Sequence, residues 1–431
     1  MSYTALSLSQ TPPLSVPLRY FLTAPLYLFA AGLILVFNGP ELFASRWSPA
    51  MLALTHLITL GFLGSCMLGA IQQLLPVLMG VPVAGARPVS LLLYLLWSLG
   101  TASLVLGMGL GWPAGLQVGA TLLGLAAAGT ELVGGRALLR TTSRHATVPA
   151  MALALLALLV AFSIALYLLW RFGWQLPLAH PLTRLHIGWG AVGWVGLLII
   201  GVAYQVVPMF QITPEYPRWL RRALVPALAA LLLLWSLLPW PVAEPLLSGL
   251  IAAALAGFAL QTLLLQRRRR RRLADVTLDF WRLAMAALLL AVLAWLANRL
   301  YPLVALELAA GVLFLAGFAL SAVNGMLYKI VPFLVWLHLN NRLQQAAQWQ
   351  GSIPNMKQVI PERMARWQLR LHLAALLLLL AALSGWLPPL LPGIAWLASS
   401  AVLFWNLLQA LLLYRRVAGE QTGSMRSQDN Q

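Results

Sequence analysis

Of the six histidines in this chain, His56 and His186 stand apart by their sequence context. Each opens a long apolar run, each precedes a glycine-rich stretch, and both runs end on one phrase. That phrase occurs three times: Gly69 to Pro76 (GAIQQLLP), Gly201 to Pro208 (GVAYQVVP) and Gly325 to Pro332 (GMLYKIVP). Only the third run lacks the histidine. At 1.5 Å per residue both imidazoles lie roughly 5 to 10 Å below the face at which their helices start. An ionisable side chain at that depth of a membrane is costly unless it is paired or bound, and so it marks a functional site. By contrast, His145, His338 and His372 read as lying near the cytoplasmic ends of spans and His180 in an outer loop, all at solvent or headgroup level. The single cysteine, Cys66, falls inside an apolar run, so an intramolecular disulfide and a cysteine cluster are both ruled out.

Equal depth on two helices is what two ligands of one metal require, which makes His56 and His186 the metal ligands of choice. Imidazole is an ordinary axial ligand of haem iron, and a flat macrocycle needs small residues beside it. Gly190 and Gly193 follow His186 by four and seven positions, one face of an α-helix, and are the expected cofactor-lining glycines. Gly61 and Gly64 follow His56 by five and eight, a poorer phase. A protein-built copper or zinc centre needs three or four close ligands, and no such cluster supports copper here. Haem b is therefore the expected cofactor. Arg184 stands beside His186, either to pair with a haem propionate or to anchor the helix at the interface. Gln73, Gln205 and Lys329 occupy one aligned position of the repeated phrase and read as interfacial.

The elements that carry these residues follow from composition. With 61 % apolar and 9 % charged residues over 431 positions and a mean hydropathy of +0.84, the chain reads as an all-α polytopic membrane protein. At about 20 apolar residues per crossing there are twelve spans. The repeated phrase falls on the second, sixth and tenth, dividing the domain into three pseudo-threefold repeats of four helices, at about 21–140, 148–266 and 280–414. Residues 1–20 read as a cytoplasmic tail, 21–416 as a single membrane domain and 417–431 as a disordered cytoplasmic tail. The start carries no cleavable signal pattern. One short surface helix fits the polar loop near 339–367.

Charge sets orientation. Of 28 Lys and Arg, only Arg46, Arg171, Arg184 and Arg299 fall on one side, with Lys329 inside a span. The basic side stays cytoplasmic, which places both termini there. The arginine run 267–272 reads as a topogenic anchor touching anionic lipid rather than as a nucleic-acid site, since it has no interleaved aromatics or basic domain.

The stretch Leu185 to Met209, with His186, Gly190 and Gly193, resembles the haem-ligating helix of the catalytic subunit of haem-copper oxidases. Thr55 to Gly69, with Leu75 to Gly80, resembles that subunit's second helix more loosely. Twelve helices in three blocks are also that family's architecture. A further resemblance, in size and layout, is to the NnrS family of haem- and copper-containing membrane proteins linked to nitric oxide stress. These resemblances imply low-spin haem ligation by His56 and His186. The oxidase His-x-His pattern is broken by Arg184, and the histidines of the copper partner are missing, so a conventional oxygen-reducing centre is not implied.

The expected protein is a b-type haem protein of a bacterial-type cytoplasmic (inner) membrane, working in electron transfer or in sensing of a diatomic gas such as nitric oxide. Its expected partners are membrane lipid, the gas, and a respiratory or denitrification protein, with no nucleic acid. The alternative is a cofactor-free transporter, for which Glu131 and Glu307 are the acidic candidates, or an accessory subunit of a respiratory complex.

Overall fold

The computed structural model describes residues 10–81, 86–143, 145–173, 179–238, 240–270, 273–345 and 352–429. Its framework is twelve helices long and apolar enough to cross a membrane. They are α1 (Ser15–Phe37), α2 (Pro49–Val77), α3 (Arg87–Gly109), α4 (Pro113–Arg140), α5 (Thr147–Phe172) and α6 (His180–Gln211). The second half holds α7 (Arg218–Leu237), α8 (Ala243–Arg267), α9 (Val276–Leu300), α10 (Val304–Arg342), α11 (Glu362–Leu383) and α12 (Leu390–Glu420). No strand occurs among the described residues. A backbone in hydrocarbon must satisfy its polar groups within each segment, and helices do this.

One expectation from the sequence changes, one takes a definite form and one lies partly outside the described residues. The helical wind of α12 runs on to Asp429, through the segment expected to be a disordered tail. The short surface helix is a single turn, Met356–Val359, closed by a capping box from Asn355 and Gln358. Of the arginine run, Arg271 and Arg272 lie outside the described residues.

The threefold repeat is written in side-chain packing. In each block the first helix crosses the second at the repeated glycine. A Cβ on Gly69 would lie 2.9 Å from Tyr20 Cβ, and one on Gly325 would lie 2.8 Å from Phe280 Cβ; at Gly201 it would overlap Ala150 Cβ. The Thr147 hydroxyl donates to the Gly201 carbonyl at 3.1 Å and the Thr277 hydroxyl to the Gly325 carbonyl at 3.0 Å. Pro17 takes the matching place in the first block, its carbonyl beside Gly69. Small residues let helix backbones approach closely where lipid offers no hydrophobic drive to association. The ring of helices then closes: α12 packs on α1, with Gly32 against Leu397 and Gly393 against Val36.

The repeated helices form the centre. In α2 and α6, 72 % of the most apolar stretch is buried, against 28 % in α5 and α7. Each of α2, α6 and α10 also carries a π-helical segment of two turns, at Leu57–Gly64, Gly188–Gly196 and Leu313–Leu320. The wider i→i+5 wind is rare and concentrates at functional sites. A carbonyl of the first segment is shared with a side chain: Leu60 O accepts from Trp97 Nε1 at 3.0 Å as well as from the Ser65 N–H.

His372 itself departs from expectation. It is 2 % exposed, inside α11, with Nε2 2.8 Å from Ser321 Oγ. The helix starts at Glu362, six residues earlier than hydropathy suggests, because Arg366 is neutralised by Glu362 and by Asp279 of α9. Ser321 and Ser65 both precede a repeated glycine by four residues, yet the buried Ser65 hydroxyl has no partner. Ser321→Ala should therefore cost about 1 to 3 kcal/mol by orphaning the histidine, and Ser65→Ala should be near neutral. Thermal unfolding of the detergent-purified variants checks this; equal midpoints would contradict the assigned bond.

Candidate metal centre

The helix bearing His56 is begun by Ser48, whose hydroxyl accepts from the Met51 N–H at 3.3 Å, with Pro49 in the first helical position. These signals fix the start of α2 and put His56 two turns in, at the edge of its π segment. On α6, His180 opens the helix, Pro181 takes the first turn, and His186 stands just before the second π segment.

The structure brings the two imidazoles together. Their ring centres are 6.5 Å apart and their planes 14° from parallel. That is too far for contact between ring faces. Two imidazoles bonded end-on to opposite sides of a single metal at about 2 Å each have ring centres about 6 to 6.5 Å apart, whereas at a tetrahedral angle they would be about 5 Å apart.

The hydrogen bonds set the tautomers. His56 Nδ1 lies 2.7 Å from the Leu52 carbonyl, one turn back on its own helix, and His186 Nδ1 lies 3.0 Å from the Ala161 carbonyl on α5. A carbonyl only accepts, so both Nδ1 atoms carry the proton, and in the neutral rings Nε2 keeps its lone pair. Nδ1–H bonded to a backbone carbonyl is also the usual support for a metal-bound histidine. Both rings keep part of their surface uncovered although Leu57 and Trp189 beside them are buried.

The glycines divide. A Cβ on Gly190 would meet nothing within 4 Å, so this residue borders open space. Gly193 does not: its added Cβ would lie 2.8 Å from Ala157 Cβ on α5. The four-and-seven phase holds for an α-helix, whereas Gly188–Gly196 is π-helical. At about 4.4 residues per turn, seven residues bring the chain to another face. Gly61 and Gly64 are likewise packing glycines, against Tyr27 and Trp97.

Arg184 is exposed and sits about 200° around the α-helix from His186, on the rim rather than beside the rings. The rim is organised by a different arginine. Arg46 pairs with Glu307 of α10 at 2.6 Å and lies 4.4 Å over the Trp47 ring, which in turn meets His180 edge-on at 5.9 Å. Thus one loop, Ser45 to Trp47, ties the ends of α6 and α10 together above the histidine pair. Glu307 is spent in that bridge, and Glu131 is half-buried on α4 with Oε1 unpartnered. Gln73 and Gln205 line a central cavity instead of an interface, and Lys329 pairs with Asp275 at 2.9 Å.

The donor set can be tested against candidate metals. Among the described residues no group of three or more His, Cys, Asp and Glu could hold an ion. Two neutral imidazoles therefore suit a metal that brings its other ligands with it, as haem iron does, and do not complete a four-coordinate zinc or copper site. The residues present fit an axial pair. No protein-family model matches the sequence, and comparison with characterised proteins finds no match.

Proposed function

We propose that this multi-pass membrane protein would hold a b-type haem between α2 and α6, with His56 and His186 as the residues that bind its iron. The observation that carries the reading is the pair itself: rings 6.5 Å apart whose Nδ1 atoms are both committed to backbone carbonyls. When bound, the haem would supply one-electron redox chemistry and an iron site for a diatomic gas.

The chain's own residues would do the rest. Leu52 and Ala161 hold the two imidazoles in the Nδ1–H tautomer, so that each presents a lone pair without a prior proton loss. Gly190 leaves room beside His186. The Arg46, Glu307, Trp47 and His180 cluster ties together the ends at which α2, α6 and α10 begin. Held by both histidines, the group would supply electron transfer; held by one, it would supply a site for nitric oxide or a similar gas. His186 is the better candidate for release, because its Nδ1 partner lies on another helix while His56 is braced within its own. The side bearing the histidines is the non-cytoplasmic one by the distribution of basic residues, and a bacterial-type inner membrane fits that pattern.

A pyridine haemochrome assay and a reduced-minus-oxidised spectrum of the detergent-purified chain test this reading. About one haem b per chain and a low-spin spectrum are expected. Colourless protein from haem-sufficient cells would end the proposal and return the chain to the transporter and accessory-subunit alternatives.

A further inference from the structure

On the pseudo-threefold axis, where the repeated phrases of α2, α6 and α10 meet, lies a cavity of about 140 Å³. The lining includes Ala70 and Val202, each just after its repeated glycine, Val323 two residues before the third one, and Phe21 of α1 and Trp281 of α9. It begins at Cys66 on α2, ten residues beyond His56, and so is separate from the metal centre.

Three properties select an occupant. A buried water needs two to four polar partners, and this wall offers amides only at Gln73 and Gln205, so the interior favours a dry state. Apolar cavities of about 150 Å³ stay dry and take benzene or xenon. An occupant regains the dispersion contacts that an empty void forfeits. The lining comes from α2, α6 and α10 with Phe21 and Trp281 added, and Phe210 and Phe333 stand edge-on at 6.3 Å within it.

We propose that this axial cavity is a binding site for small, uncharged, apolar molecules of the dioxygen or nitric oxide class. Such solutes leave water by the hydrophobic effect, and the site holds them without a metal. The inference therefore stands or falls independently of the haem.

The test is diffraction from crystals of the full chain pressurised with xenon. A single xenon peak bounded by Ala70, Val202 and Val323 is expected, lost in Val202→Phe, which fills the space, and strengthened in Val202→Ala, which enlarges it. The second variant keeps the test decisive if the first does not fold. A peak that persists in Val202→Phe, continuous acyl-chain density, ordered waters that xenon does not displace, or no xenon on the axis would each overturn the proposal.

Discussion

Replacing either His56 or His186 by alanine is expected to abolish the low-spin haem spectrum, with retained haem falling by at least about tenfold, a loss already reached when weaker outer-shell partners are removed. The argument is geometric. Each ring supplies one nitrogen to a shared centre, and the deeper histidines of the chain are committed elsewhere. His338 has its Nδ1 2.9 Å from Leu334 O and its Nε2 3.1 Å from Pro12 O. His372 is bonded to Ser321 on the third block. His338→Ala and His372→Phe are therefore controls that should keep the spectrum. The two ligand variants should differ in degree. His186→Ala removes the ring held from α5 and should leave a high-spin, gas-binding species on the better braced His56. Added imidazole should restore the low-spin form in either cavity. Identical spectra in wild type and both alanine variants would remove these residues from the site, whatever the haem content.

The pairing of His56 with His186 is legible in the sequence because each opens an apolar run that ends on the same repeated phrase, although His56 precedes its Gly69 by 13 residues and His186 its Gly201 by 15. The twelve spans are equally legible, since apolar length alone specifies them. What composition does not encode is the hydrogen-bond register inside a helix. The π segments shift the phase of every residue they contain, which is why Gly193 packs on Ala157 instead of facing the site. His372 is hidden for an electrostatic reason. Charged residues normally end a span, but Glu362 and Asp279 compensate Arg366 inside one, so α11 starts earlier and carries the histidine deeper. The role of Arg46 is not legible: its partner Glu307, 261 positions away, becomes a neighbour only when α10 packs beside the start of α2.

Gly201→Ala should destabilise the protein, although the same change at a membrane glycine with open space around it should not. In a helix interior, alanine normally gains about 0.5 to 1 kcal/mol over glycine. At Gly201 the new Cβ would overlap Ala150 Cβ, both on helices whose backbones are already tied by the Thr147 hydroxyl. Overpacking of this kind costs about 1 to 3 kcal/mol, which outweighs the propensity gain. At Gly257 on α8 an added Cβ meets nothing within 4 Å, so Gly257→Ala should be neutral or slightly stabilising. The opposite signs separate close helix approach from a general effect of glycine. Gly69→Ala and Gly325→Ala should follow Gly201, since Tyr20 and Phe280 occupy the corresponding space. Adding Ala150→Gly to Gly201→Ala removes the overlapping atom and should recover most of the loss, a coupling that a double-mutant cycle reads directly. Thermal midpoints in detergent measure all of these. A stable Gly201→Ala protein, or a loss that Ala150→Gly fails to repair, would show that the crossing of the first and second helix in each block is looser than the repeat requires.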